Sequence, residues 1–369
     1  MNFDFSDEQK ELQEHAGKFL KEQCDISVVR RVLEGGGAYD EDLWKGIVEM
    51  GWTAAALPEE YGGIGYGYLE LCVIAEEMGR ALAPALFSSS VYLATEAILL
   101  GGSDEQKQEY LPKLAAGELI GTLALSEGPR VANPNTIEVT FDNGKLNGTK
   151  TPVPDGDVAN IAVVAAKDGN GVSLVLVDLS GAGVSRETVV TIDPTRSHAK
   201  VSFKDAPAAV LGDGANWDVL QRVLDRAAVL FAFEQIGGAD TCMRMAREYS
   251  IGRYAFGRPI GSFQALKHRM AEMYVKNELA RSNAYYGAWA LSIDSAELPV
   301  AAAGARISAT EAYHFASKEN IQIHGGMGFT WEADCHFYYR RAKLLSLCLG
   351  SARVWKDRLI SNLEAQRSA

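Results

Sequence analysis

The chain has 369 residues, 47% hydrophobic and 23% charged, which is ordinary globular composition and long enough for two or three domains. Its formal net charge of −12 argues against nucleic acid as a partner, because such a surface repels phosphate, and no apolar run reaches the roughly 18 residues a membrane span needs. Five cysteines (Cys24, Cys72, Cys242, Cys335, Cys348) without metal-type spacing and six scattered histidines speak against a metal site and for a reducing, cytoplasmic compartment.

The acidic start, NFDFSDEQKEL, has neither the basic opening nor the apolar core of a signal peptide. Ser6 and Gln9 form a capping-box signature, after which Leu12, Ala16, Phe19 and Leu20 share one helical face. A helix is predicted over 41–50, and 57–80 reads as a Gly-rich turn feeding another. A third helical pattern ends near Leu100, and Ser103 with Gln106 opens a further capped helix. The first 118 residues are therefore almost all helix.

The period changes after Gly121. Ile137, Val139 and Phe141 alternate with polar residues, and Asn143-Gly144 is a type I′ hairpin signal. The runs 161–166 and 172–179 are strand-like and separated by DGNG, and Val201 and Phe203 continue the alternation. A small β domain is predicted over 119–212. From Trp217 the helical period returns over 217–249, 263–292, 298–323 and 340–366, the pattern of an antiparallel four-helix bundle. The domains so predicted are 1–118, 119–212 and 213–369, a mainly α chain with a small β domain in the middle.

Two segments interrupt the bundle pattern, RYAFGRPIGSFQ (253–264) and QIHGGMGF (322–329). Both place Gly, Arg and Gln where packed helices favour Leu and Ala. Gripping a diphosphate requires that chemistry: fixed positive charge, as on Arg253, and backbone bared of side chains, as at Gly325-Gly326.

Together these segments resemble the acyl-CoA dehydrogenase family, and the α–β–α order extends the resemblance over the whole chain. The resemblance implies FAD as cofactor and an acyl-CoA as substrate. It implies that Arg253, Phe256, Gln264, Gln322, Gly325 and Gly326 bind the ADP half of an FAD held by a neighbouring subunit. It further implies an electron-transfer flavoprotein as acceptor and a tetrameric assembly. The family strand motif that faces the flavin ring is matched by Leu123-Ala124-Leu125-Ser126-Glu127-Gly128, with Ser126 keeping the hydroxyl. The following G-S-D acyl-CoA contact is missing from GPRVANPN. The ring-packing Trp and N5-bonding Thr correspond to Pro152 and Pro154, which offer neither group.

The family's usual catalytic Glu corresponds to Leu349, and its alternative location to Ala227, with Asp225 close by. Glu234, set among Phe231, Phe233 and Ile236, is the remaining candidate base, or else a buried partner of an arginine. Glu332 and Asp334 read as solvated loop charges. Two readings stay open here. One is a homo-oligomeric dehydrogenase with Glu234 or Asp225 as an unusual base. The other is a non-catalytic subunit of an α2β2 heteromer, of the kind found in bacterial steroid side-chain degradation. An oxidase or monooxygenase on the same fold is a third.

Overall fold

A computed structural model describes residues 5–35, 37–214 and 216–368. Residues 1–4, the first of the acidic N-terminal stretch, lie outside the described residues. Chain order runs α1 (Asp7–Gln23), α2 (Ile26–Gly35), α3 (Glu41–Glu49), α4 (Tyr68–Arg80), a π-helical stretch (Ser88–Thr95), α5 (Glu96–Gly101) and α6 (Asp104–Ala115). The strands follow: β1 (Gly121–Ala124), β2 (Thr140–Asp142), β3 (Lys145–Pro154), β4 (Ile161–Asp168), β5 (Gly171–Asp178), β6 (Val184–Thr188) and β7 (His198–Val210). Then come α7 (Trp217–Gly252), the two-residue strands β8 (Tyr254–Ala255) and β9 (Arg258–Pro259), α8 (Gln264–Ser292), α9 (Leu298–His324), α10 (Cys335–Leu345) and α11 (Ala352–Ser368). No helix among the described residues is long and apolar enough to cross a membrane.

Local chemistry accounts for many of these boundaries. Ser6 accepts the Gln9 amide at 3.2 Å while Gln9 Oε1 takes the Ser6 N–H at 2.9 Å, and Ser103 and Gln106 repeat the box. Asn143 and Gly144 both have positive φ (48° and 76°), as a type I′ turn between β2 and β3 requires.

The chain divides into two compact units. One comprises Arg30–Gly67 and Pro84–Ala227 and holds the sheet. Its pairings β4–β2–β3–β7–β5–β4 close into a ring, with β1 added to β4 and β6 to β7. Inside lie Val139, Leu146, Val164, Val175, Val201 and Phe203, all buried. Of the alternating Ile137, Val139 and Phe141, only Phe141 lies in β2, which begins at Thr140.

The other unit comprises Met1–Val29, Tyr68–Ala83 and Ala228–Ala369 and holds the helical bundle. Here α4 and α7 touch backbone to backbone: a Cβ on Gly79 would lie 1.9 Å from Glu234 O, and one on Gly237 1.9 Å from Glu76 O. Around that crossing Glu76, Arg80, Asp240 and Arg281 form a paired charge cluster.

The expected last helix, 340–366, is in fact two. A turn over 346–351 separates α10 from α11, with Leu349 at φ +61° and Gly350 at φ +100°. Buried Arg306 of α9 holds that turn, donating to Leu345 O and to Cys348 O, the latter at 2.7 Å. Its other hydrogen bond goes to Gln235 Oε1 at 2.7 Å. Burial pushes the Arg306 guanidinium down to about 10, with Cys348 and Glu234 pulling the other way.

Candidate functional site

The bundle unit brings six of the expected residues to one of its ends. Arg253 follows α7, the hairpin β8–β9 carries Phe256 at its tip, and Gln264 is the first residue of α8. Gln322 sits in the last turn of α9, whose C-cap is Gly325. Stacking of Tyr249 on His324 at 4.2 Å, one turn before Arg253 and one residue before Gly325, sets the two corners side by side.

Chemically this end is open. Gly325 needs its glycine for φ +59°, but Gly326 does not, since its backbone is not left-handed and a Cβ there would meet nothing within 4 Å. Neither conformation nor packing among the described residues explains Gly326. Arg253, Gln264 and Gln322 are exposed, and none has a side-chain hydrogen bond or ion pair among the described residues. Phe256 is 95% exposed at φ +53°, a conformation that is costly for a bulky side chain. An open glycine doublet ringed by free cationic and amide donors fits a nucleotide diphosphate approaching from outside the chain. Arg258, also without a carboxylate partner among the described residues and packed at 4.1 Å over Phe263, belongs to the same end. It stood inside the 253–264 segment, but only the folded hairpin distinguishes it from a solvated charge.

Ser126 lies in the sheet-bearing unit. Its carbonyl accepts the Thr151 amide at 2.8 Å, and its half-buried hydroxyl has no partner among the described residues. A clamp that sequence reasoning missed holds this segment. Lys150 Nζ, fully buried, donates to Leu125 O at 3.1 Å and to Glu127 Oε1 at 2.6 Å. Glu127 also accepts the backbone amides of Glu138 and Val139, at 2.6 and 3.1 Å. Glu127, Pro129, Arg130, Thr136, Ile137 and Glu138 line a groove of about 340 Å³ beside it. A Lys and a Glu separated by 23 residues carry no periodic signal, so only strand pairing revealed the clamp.

Burial pulls the Lys150 pKa from 10.5 to about 8, against the opposing pull of Glu127. Between pH 8 and 10.5 the folded chain then binds fewer protons at this site than the unfolded chain, so this group makes stability rise with pH across that window. Lys150→Met should flatten the rise, measured as urea midpoints at several values in that range; an unchanged slope would remove Lys150 as its source.

Both carboxylates offered as bases are buried. Glu234 is 1% exposed and paired at 3.4 Å with Arg341, also 1% exposed. Asp225 is buried in the sheet-bearing unit. Leu349, half-buried in the turn after α10, offers no proton acceptor.

A helical start, a closed β ring, a helical bundle and an open glycine corner define an oxidoreductase of the acyl-CoA dehydrogenase architecture. The sequence model of the acyl-CoA dehydrogenase N-terminal domain matches residues 6–118, and that of the C-terminal domain matches residues 213–363. The chain belongs to the acyl-CoA dehydrogenase family, whose members bind FAD. It is 34% identical to acyl-CoA dehydrogenase IpdE2 of Mycobacterium tuberculosis, over 97% of this chain and 98% of that protein. Among solved structures, the ChsE4-ChsE5 complex from Mycobacterium tuberculosis is similar at TM-score 0.90 and 27% identity, covering 99% of both chains. A variant of the Tcur3481-Tcur3483 steroid ACAD is similar at TM-score 0.88 and 29% identity, covering 98% of this chain and 99% of that one.

Proposed function

We propose that this chain is the cofactor-completing, non-catalytic subunit of a heteromeric, FAD-dependent acyl-CoA dehydrogenase that introduces an α,β double bond into an acyl-CoA. One observation carries the reading. Arg253, Gln264 and Gln322 stand free of side-chain partners among the described residues at the end of the bundle unit that carries an open Gly325-Gly326; the resemblance puts Leu349 where the base would be.

FAD, when bound, supplies the hydride acceptor. Arg253 neutralises diphosphate charge, Gln264 and Gln322 supply hydrogen bonds, and the glycines let main chain approach. Ser126 offers one hydroxyl toward a flavin ring, but Pro152 and Pro154 add nothing to it. Removing the α-proton needs a carboxylate. Here Glu234 is committed to Arg341 and Leu349 has none, so a homologous partner chain in an α2β2 assembly supplies it. Similarity to a two-protein complex and to a steroid enzyme supports that assembly and a steroid-derived acyl group. An electron-transfer flavoprotein as acceptor follows from family membership by analogy. Five cysteines, none in a disulfide among the described residues, support a cytoplasmic location.

Purified alone, the chain should carry little flavin and oxidise no acyl-CoA. Co-expressed with a homologue that bears the Glu, it should yield a yellow, active complex. Stoichiometric flavin and turnover in the lone chain would sink the proposal.

A further inference from the structure

A second feature of the bundle unit is independent of the glycine corner. The chain carries a formal charge of −12, yet the face where α9 meets α10 gathers positive charge with no acid paired to it among the described residues. His314 and Lys318 stand one turn apart on α9, and Tyr339 and Lys343 one turn apart on α10, so each helix presents an i, i+4 pair. The rings of His314 and Tyr339 lie 6.5 Å apart, and Lys343 Nζ lies 5.4 Å from the Tyr339 ring. Lys318 is exposed and the other three are half-buried.

Neither lysine has a carboxylate partner among the described residues. Glu311, one turn before His314, is taken by Lys356 at 2.8 Å. His314 Nδ1 is buried and has no hydrogen-bond partner among the described residues. Burial, then the ammonium groups of Lys343 and Lys318, hold the imidazole below its ordinary pKa, and no carboxylate acts against them. The exposed Lys318 and the half-buried Lys343 are like charges around an unfilled ring nitrogen and repel one another. An oxyanion that accepts from all of them removes that repulsion.

We propose that His314, Lys318, Tyr339 and Lys343 form a binding site for a phosphate-type oxyanion, distinct from the glycine corner. Two ammonium groups supply the charge, while the imidazole and the Tyr339 hydroxyl supply directed donors. Free phosphate and the phosphate of a nucleotide share this chemistry.

The test titrates the co-expressed complex with inorganic phosphate, replacing chloride at constant ionic strength. The His314 ring resonance, assigned with His314→Gln, is followed by NMR, and ADP is titrated in parallel. Phosphate should shift the resonance saturably and raise the His314 pKa. Lys318→Gln with Lys343→Gln should weaken binding about tenfold or more. Tighter binding of ADP would assign the site to a nucleotide, and equal binding to free phosphate. A shift that never saturates, or a midpoint unchanged in the double variant, would overturn the site. Lys318 is exposed and Lys343 half-buried, so an unaltered melting curve would show that the fold is intact.

Discussion

Arg253→Glu, in the chain co-expressed with its partner, is expected to lower bound flavin by about tenfold or more. A charge-assisted hydrogen bond is worth about 1.5–3 kcal/mol, and reversing the charge adds repulsion, while about 1.4 kcal/mol already makes a factor of ten. Stability should hardly move. Arg253 is exposed and without a partner among the described residues, and substitutions at such positions stay within about 0.5 kcal/mol. Gly326→Leu is the steric counterpart. A Cβ there meets nothing within 4 Å, but a dinucleotide lying on that backbone would be displaced by the side chain. Flavin content measured on the complex, beside its melting temperature, separates the two effects. Variants that retain full flavin would show that this end of the bundle is not a cofactor site.

The second large effect is expected at the Glu234–Arg341 pair. Both side chains are 1% exposed, so Arg341→Leu takes the paired cation from a carboxylate in the core and should cost about 3–5 kcal/mol. Glu234→Leu combined with Arg341→Leu should recover much of that, because the pair's own desolvation is then relieved. Denaturant midpoints of the two variants measure the difference. The same residue tests the chemistry. Glu234→Gln in the co-expressed complex should retain turnover, and loss of turnover with flavin still bound would make Glu234 the base and end the subunit reading.

What was legible beforehand depended on short-range chemistry. The boxes at Ser6 and Ser103 and the Asn143-Gly144 turn are closed by contacts within a few residues, so sequence spacing suffices. The returning helical period after Trp217 likewise exposed the bundle, because each helix buries its own face. The break at 346–351 was not visible, since it hangs on hydrogen bonds from Arg306, 39 and 42 residues away. A bulky Leu349 in left-handed backbone gives no sequence signal of a turn.

At the candidate site, residue order alone shows which residue types are present: a glycine doublet, Arg253, two glutamines, and Leu349 where the family resemblance places a carboxylate. What surrounds them comes from the packing of distant segments. Gly326 faces open space, the three polar side chains are unspent, and Glu234 is spent on an arginine 107 residues further along. Burial and the choice of partner belong to the packed molecule, because desolvation and charge pairing depend on which distant segments meet, and residue order does not encode that locally.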